Sequence, residues 1–159
     1  MNQIVLRRIE DTRKLGLCMA GLVKAGDILL LSGDLGAGKT TLTRFLAQGL
    51  GIDEREVTSP TFSIIHEYRH GRIPVAHVDL YRLGKNAEIS DIGLDEYLAG
   101  DFIIIMEWAE FLPESIGKDC LYMNIRMDRE CKTRTVTFRQ QGQSWKERLA
   151  ELERCMKQH

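Results

Sequence analysis

The chain has 159 residues, and its 22 Lys and Arg against 23 Asp and Glu give a formal net charge of −1. This length suits one domain with its own core, and the balanced charge excludes an overall polyanion-binding signature, so nucleic-acid contact would need a local basic patch. Because no apolar run approaches the roughly 18 residues of a membrane span and no basic-then-apolar leader opens the chain, we expect a soluble, cytoplasmic protein without membrane contact.

The first predicted elements are a short strand at residues 4–9 and a helix that ends near residue 23. Residues 10–12, Glu-Asp-Thr, offer capping groups for this helix. Its apolar positions recur at helical spacing: Leu15, Cys18, Met19 and Leu22. A turn then leads into residues 28–32, a short apolar run that is typical of a buried strand.

The stretch at residues 33–40 reads Gly-Asp-Leu-Gly-Ala-Gly-Lys-Thr, a complete Walker A pattern between a predicted strand and a predicted helix. In such a loop the backbone N–H groups turn toward phosphate oxygens, and the helix N-terminus adds partial positive charge. We expect Lys39 to reach the β- and γ-phosphates and the Thr40 hydroxyl to complete a Mg²⁺ shell. The predicted nucleotide-binding residues are therefore Gly33, Asp34, Leu35, Gly36, Ala37, Gly38, Lys39, Thr40 and Thr41.

The helix at residues 41–50 ends at Gly51, a typical C-terminal capping residue. A charged linker then leads to Thr58 and to residues 59–62, Ser-Pro-Thr-Phe, where proline breaks regular structure. A hydroxyl in this loop either senses the γ-phosphate or the metal, as in switch loops, or belongs to an ordinary turn. Composition favours neither interpretation, and Thr61 is kept as a candidate nucleotide contact.

The middle of the chain predicts an antiparallel hairpin, because the strand-like residues 62–69 and 73–80 are joined only by His-Gly-Arg. A uniformly parallel nucleotide-binding sheet would have a helix as the crossover there. Residues 87–98 are predicted to be helical. The continuous apolar run at residues 102–106 is typical of a strand covered on both faces, and one helical turn is expected at 109–112.

The C-terminal third predicts a second hairpin, at residues 121–128 and 133–138, and a last helix opened by a capping box, Ser144-x-x-Glu147. Basic residues exceed acidic ones by three at residues 118–139, either as a solvated face or as a contact for a nucleotide, RNA or an acidic partner. No C-x-x-C pair occurs, so free thiols are expected at all the cysteines, which are Cys18, Cys120, Cys131 and Cys155.

Two acids, Asp79 and Glu107, each end a predicted buried strand. In open α/β sheets the ligand crevice lies at the carboxyl ends of the strands, and Mg²⁺ prefers one or two carboxylates together with water and phosphate oxygens. An acid in this position can also begin a solvated loop, but the Walker A pattern favours the metal. Either acid can instead polarise the attacking water, so the division of roles stays open.

Three aromatic residues are weaker candidates for a functional role than these acids. Trp108 either forms a lid or partner contact or is a half-buried core residue, and the second interpretation is favoured. His66 and His77 alternate with apolar residues on predicted strands. They are interpreted as packed or surface histidines rather than as metal ligands.

Four motif blocks in this order resemble the motif set of the TsaE (YjeE) family: residues 33–41, 59–62, 77–82 (His-Val-Asp-Leu-Tyr-Arg) and 107–108 (Glu-Trp). The similarity covers about residues 10–112. Members of that family are small bacterial ATPases that help the TsaB and TsaD proteins to make threonylcarbamoyladenosine in tRNA beside the anticodon. The resemblance implies an α/β fold over residues 1–159, a P-loop NTPase-like three-layer sandwich with a mixed sheet and added antiparallel hairpins.

The resemblance also implies that ATP and Mg²⁺ are the cofactors and that residues 59–62 behave like a switch. The expected catalytic residues are Lys39, Asp79 and Glu107, and the expected metal site is Thr40, Asp79 and Glu107. Arg134 is expected to contact the base. The expected partners are TsaB and TsaD, with tRNA met only through their complex. Two alternatives remain open, a small-molecule kinase and a nucleotide-gated adapter that needs no turnover.

Overall fold

The computed structural model of the protein describes residues 3–58, 63–81, 83, 92–112 and 119–158. Its strands are β1 (Gln3–Leu6), β2 (Ile28–Ser32), β3 (Ile65–Tyr68), β4 (Val75–Asp79), β5 (Ile103–Glu107), β6 (Cys120–Met127) and β7 (Arg134–Gln141). Its helices are α1 (Ile9–Ala20), α2 (Lys39–Gly49), α3 (Leu94–Leu98) and α4 (Lys146–Lys157), with a 3₁₀ turn at Ala109–Phe111. None of the helices in these described segments has the length and apolarity needed to cross a membrane.

The described strands form one mixed sheet in the order β1-β7-β6-β2-β5-β4-β3. The central strand β2 pairs in parallel with β5 and β6, and β5 pairs in parallel with β4. Both flanks are antiparallel, β1 on β7 and β7 on β6 at one edge and β3 on β4 at the other. The predicted α/β fold with a mixed sheet and two added hairpins is confirmed.

Helices cover the central strands on both faces, which explains their continuous apolar sequences. Leu29, Leu31 and Ile105 face one core together with apolar residues of α1, α2 and α4. Leu30 and Ile104 face a second core with Leu94 of α3. The sheet is therefore the middle layer of a three-layer sandwich, and the P-loop helix α2 lies on the first of these faces.

Strand alternation places the candidate acids on the same face as α2. Successive side chains of a strand point to opposite faces, so Glu107 shares its face with Ile105 and Asp79 shares its face with His77 and Val75. Ile105 and Val75 belong to the core that includes α2. The C-terminal ends of β4 and β5 thus turn both acids toward the start of the P-loop helix.

Two predicted helix starts differ from the structure because side chains find other partners. α1 begins at Ile9, ahead of the predicted capping residues, because Asp11 reaches back to accept the backbone N–H of Arg8 at 3.0 Å. The capping box at Ser144 is wrong, since its hydroxyl donates to Asp119 Oδ1 at 2.7 Å and α4 begins only at Lys146. Of the helix predicted at residues 87–98, the structure describes α3, and residues 84–91 lie outside the described chain.

The prediction of four free thiols is wrong for one pair. Cys18 of α1 and Cys155 of α4 form a disulfide with their Cα atoms 6.0 Å apart, while Cys120 and Cys131 are free. The two bonded residues are 137 positions apart. The packing of α1 beside α4 brings them together, and no local spacing could indicate it.

Candidate functional site

The loop between β2 and α2 owes its shape to three glycines with positive φ, namely Gly33 (141°), Gly36 (79°) and Gly38 (112°). At Gly33 an added Cβ would lie 2.3 Å from the carbonyl oxygen of Ile125, so only glycine lets the loop pass this close to β6. At the other two positions an added Cβ would meet nothing within 4 Å, and the backbone conformation alone requires glycine. The Walker A glycines thus form an open concave loop.

The N-terminus of α2 is left for an anion. Its N-cap Gly38 makes no side-chain capping bond, and the first turn contains no acidic residue. Each of the other described helices carries an acidic residue in its first turn, such as Glu10 of α1 and Glu147 of α4. Because helix N-termini are stabilised by negative charge, the exception at α2 fits a phosphate-binding loop.

Lys39 lies at the floor of this loop and is only 5% exposed. Its Nζ donates to the backbone carbonyls of Gly33 at 2.5 Å and Asp34 at 3.0 Å, and it lies 3.9 Å from the centroid of the Trp108 ring. Burial lowers the pKa of Lys39 from its ordinary 10.5, although nearby carboxylates, Glu107 first among them, oppose the shift. The ammonium is therefore desolvated, and the nearby carboxylates favour its charged form.

Glu107 connects the P-loop helix to the sheet and is 2% exposed. Its Oε2 accepts the Thr40 hydroxyl at 2.9 Å, and its Oε1 lies 2.8 Å from His77 Nε2. On the neighbouring strand Asp79 is the register partner of Glu107, and its Oδ1 accepts the backbone N–H of Tyr81 at 3.0 Å. The structure thus brings together the three residues expected at the metal, Thr40, Asp79 and Glu107.

These residues fit Mg²⁺ bound together with a triphosphate. No cluster of three or more His, Cys, Asp and Glu side chains able to hold a metal alone occurs in the described segments. Mg²⁺ commonly takes one or two carboxylates and completes its octahedron with waters and substrate phosphates. A hydroxyl and two acids beside an open phosphate loop are such a donor set, and their role as ligands stays a prediction.

The ring of Trp108 packs against the ammonium of Lys39. Its backbone has φ 61°, and the half-buried residue also contacts the rings of Tyr81, with centroids 4.8 Å apart, and Phe111, with centroids 6.0 Å apart. The sequence indicated a half-buried tryptophan but not its contact with Lys39. The signal for this contact was its position directly after Glu107 at a strand end.

Two cavities flank the loop. One of about 250 Å³ lies between the start of α1, the loop glycines and β7, and its lining includes Arg8, Thr12, Thr41 and Arg134. The other, of about 510 Å³, lies over β6 and the 3₁₀ turn and is lined in part by Asp34. Arg134, predicted from sequence to contact the base, therefore shares a cavity with the phosphate loop.

Of the remaining predicted site residues, Leu35 and Ala37 are described by the structure and Thr61 is not. Leu35 is 83% exposed, so a contribution of this residue to the loop comes from its backbone, whereas Ala37 is buried. Thr61 and the rest of residues 59–62 lie outside the described chain, and the switch loop stays a prediction.

Sequence reasoning missed the contact between His77 and Glu107. His77 is fully buried, as a packed histidine should be, but its ring also bonds to an acid of the site. The available signal was its spacing from Asp79, because residues two apart on a strand share a face.

Comparisons with known proteins identify relatives of the chain. The family described as "Threonylcarbamoyl adenosine biosynthesis protein TsaE" matches residues 6–136. The chain is 40% identical over 156 residues to the tRNA threonylcarbamoyladenosine biosynthesis protein TsaE of Bacillus subtilis, covering 97% of this chain and 96% of that protein. It is 44% identical over 141 residues to the protein of that name from Streptomyces coelicolor, covering 84% and 93%. The crystal structure of Bacillus subtilis YdiB superposes with a TM-score of 0.78 at 34% identity, covering 96% and 93%.

Proposed function

The chain belongs to the TsaE family, and we propose on this premise that it serves tRNA threonylcarbamoyladenosine biosynthesis as a Mg²⁺-dependent ATPase that assists TsaB and TsaD. The names of its relatives support the pathway in this proposal. The geometry of the site supports the proposed chemistry. The observation that carries the chemistry is the 2.9 Å bond from the Thr40 hydroxyl to Glu107, which joins the Walker A helix to an acid at the end of β5.

The nucleotide would lie along the open loop. Its triphosphate meets the uncapped N-terminus of α2 and the ammonium of Lys39, which then exchanges the carbonyls of Gly33 and Asp34 for phosphate oxygens. The adenosine would enter the cavity of about 250 Å³ beside the loop, where Arg134 and Thr12 offer polar groups. The strand and helix ahead of the loop, β1 and α1, form one wall of that cavity.

The two acids would divide their roles according to their contacts. Glu107 shares its Oε2 with the Thr40 hydroxyl, so this pair would hold the metal, whose positive charge neutralises phosphate oxygens. Asp79 is the register partner of Glu107 on the neighbouring strand and would orient and deprotonate the attacking water. Lys39 and the loop N–H groups would stabilise the charge that develops on the transferred phosphoryl group.

Turnover is expected to be slow in the isolated chain. Charge stabilisation by an arginine contributes several orders of magnitude in related phosphoryl transfers, and in this proposal that contribution comes from the partners. The TsaB–TsaD complex would supply what is missing, so that hydrolysis is coupled to the state of the complex. An ATP-bound form would bind the complex and hydrolysis would release it.

The test is ATP hydrolysis by the purified chain with Mg²⁺, alone and with TsaB and TsaD. We expect slow release of free phosphate alone and a rate at least about tenfold higher with the partners. A rate that the partners leave unchanged would contradict the coupling. Transfer of labelled phosphate to a nucleoside or nucleotide would instead support a small-molecule kinase.

Substitution of each acid separates their roles and tests the adapter alternative. Asp79→Asn is expected to bind MgATP as the wild type does but to lose hydrolysis, whereas Glu107→Gln is expected to lose the Mg²⁺ dependence of nucleotide binding. Isothermal titration and phosphate release measure these effects. If an Asp79→Asn chain that cannot hydrolyse ATP still supports tRNA modification with TsaB and TsaD, the chain is an adapter rather than an ATPase in this pathway.

A further inference from the structure

A chain of hydrogen bonds leads away from the candidate metal site into the core between β3, β4 and β5. His77 of β4 is 0% exposed, and its Nε2 lies 2.8 Å from Glu107 Oε1. Its Nδ1 lies 3.3 Å from the hydroxyl of Tyr68 on β3, which is itself 5% exposed.

The partners assign the hydrogens along this chain. An ionised Glu107 only accepts, so His77 Nε2 carries the hydrogen of that bond. With that hydrogen on Nε2, Nδ1 of His77 is left as an acceptor, and the Tyr68 hydroxyl donates to it. One ring nitrogen of His77 thus donates and the other accepts, which fixes both the tautomer and the orientation of the ring.

The bond from His77 decides which way the Glu107 carboxylate faces. With Oε1 held by the imidazole, Oε2 is directed to the Thr40 hydroxyl at the start of α2. A buried carboxylate oxygen that loses its donor is costly, so rotation away from this orientation is opposed. A leucine would fill the same space without polar atoms, so packing alone does not require a histidine here.

We propose that His77 is a positioning residue that, oriented by Tyr68, holds Glu107 with one oxygen aimed at Thr40 and the Mg²⁺ of the bound nucleotide. The proposal rests on the proposed function, because it presumes that Glu107 and Thr40 hold that metal. Partners behind a metal ligand typically change metal affinity by about 10- to 100-fold when they are removed. His77 therefore influences the contribution of Mg²⁺ to nucleotide affinity. Lys39 and the loop N–H groups would bind the phosphates whether or not His77 is present.

The experiment measures the gain in affinity for the non-hydrolysable analogue AMP-PNP that Mg²⁺ provides, as the ratio of its Kd in EDTA to its Kd in Mg²⁺. Isothermal titration gives both values without any turnover. His77→Leu is expected to lower this gain by about tenfold while leaving the Kd in EDTA within about twofold of wild type. His77→Gln, whose amide N–H₂ can replace the Nε2 donor, should restore most of the gain.

Each other outcome has one meaning. An unchanged gain in His77→Leu, or an affinity that falls equally in EDTA and in Mg²⁺, would overturn the proposal and leave His77 a packed core residue. A wild-type chain that binds AMP-PNP equally well in both conditions would overturn the metal site itself. If thermal unfolding shows that His77→Leu does not fold, Tyr68→Phe decides, with an expected loss of about threefold.

Tyr97→Phe is the matched control for Tyr68→Phe. Its hydroxyl donates to Glu67 Oε1 at 2.5 Å, on the exposed side of β3 and away from the acids of the site. Like Tyr68→Phe, the Tyr97→Phe variant loses a tyrosine hydroxyl and the side-chain hydrogen bond that this hydroxyl makes. Its Mg²⁺-dependent gain is expected to equal that of the wild type.

Discussion

Two buried cations of this protein have nearly the same surroundings and opposite kinds of partner. Lys39 at the phosphate loop and Arg148 of α4 are 5% and 7% exposed, and each lies 3.9 Å from the centroid of a tryptophan ring, Trp108 or Trp145. Arg148 donates both terminal nitrogens to the carboxylate of Asp27, the second at 3.1 Å. Lys39 donates to two backbone carbonyls.

The difference lies in the charge of the partner: Arg148 is paired with an anionic carboxylate, whereas Lys39 donates to neutral carbonyl oxygens. The fork of Arg148 ties α4 to the turn before β2, and its Nε also donates to the carbonyl of Ser144 at 2.8 Å. This ion pair belongs to the folded chain alone and needs nothing from outside. Lys39 has its pKa lowered by burial, so a triphosphate that brings anionic oxygens would relieve a cost that folding leaves in place.

Arg148→Met gives the largest expected effect. The substitution leaves Asp27, with an 11% exposed side chain, buried without its charge partner. We expect a loss of about 3–5 kcal/mol in the free energy of unfolding, measured by urea denaturation, because breaking one side of a buried pair costs that much. AMP-PNP affinity of the folded fraction should not change.

The matched control for that variant is Arg154→Met on the same helix. Its side chain is 72% exposed, and its ion pair with Glu151 is 4.0 Å long. Such surface pairs contribute little, so a change within about 0.5 kcal/mol is expected. Equal losses in the two variants would show that the contact with Asp27 is not what stabilises α4.

Lys39→Met is expected to act on binding and not on the fold. AMP-PNP affinity should fall at least about 100-fold, or roughly 2.7 kcal/mol, since a desolvated cation facing phosphate is lost. The free energy of unfolding should be unchanged or higher, because the desolvation cost of the ammonium also disappears. Isothermal titration and urea denaturation measure the two effects on the same preparation.

Lys24→Met is the control, because Lys24 is an exposed lysine on the turn before β2. It should alter neither affinity nor stability. If Lys39→Met kept its affinity for the nucleotide, the contrast between the two cations would have no functional meaning. If it unfolded as readily as Arg148→Met, Lys39 would be a structural residue as well.

Local sequence patterns were enough to predict most of the fold. These patterns depend only on residues close together in sequence. Examples are the apolar run of β5, the short His-Gly-Arg connection between β3 and β4, and Gly51, the positive-φ glycine that follows α2. The strand ends of Asp79 and Glu107 were predicted for the same reason. Their convergence followed from the general rule that parallel strands end at one edge.

What sequence could not predict depends on pairs that are distant along the chain. Arg148 and Asp27 are 121 residues apart, and nothing in either neighbourhood names the other. The spacing of His77 from Asp79 indicated a shared face, but the bond from His77 to Glu107 joins two neighbouring strands, and their order and register came only from the fold. The capping box at Ser144 failed similarly, because Asp119 is a better partner that only the fold brings near.

Cys155→Ser gives the smallest expected effect. It tests whether the attachment of α4 to the rest of the fold depends on the Cys18–Cys155 disulfide or on the Arg148–Asp27 ion pair. Cross-links typically contribute about 2–4 kcal/mol. We expect a loss near the lower end, about 2 kcal/mol, because an unfolded chain that retains residual structure loses less entropy on cross-linking than the long loop suggests. The native position of α4 should persist, since Arg148 still anchors its start and Lys14 Nζ still donates to the carbonyl of Met156 at 2.9 Å. Urea denaturation without reductant measures the loss, and dithiothreitol should lower the free energy of unfolding of the wild type to the same value.

Cys131→Ser, at an exposed free thiol, is the control and should leave the free energy of unfolding unchanged. If dithiothreitol leaves the wild type unaffected, the ion pair alone holds the helix, and the contrast between Arg148 and Lys39 becomes sharper.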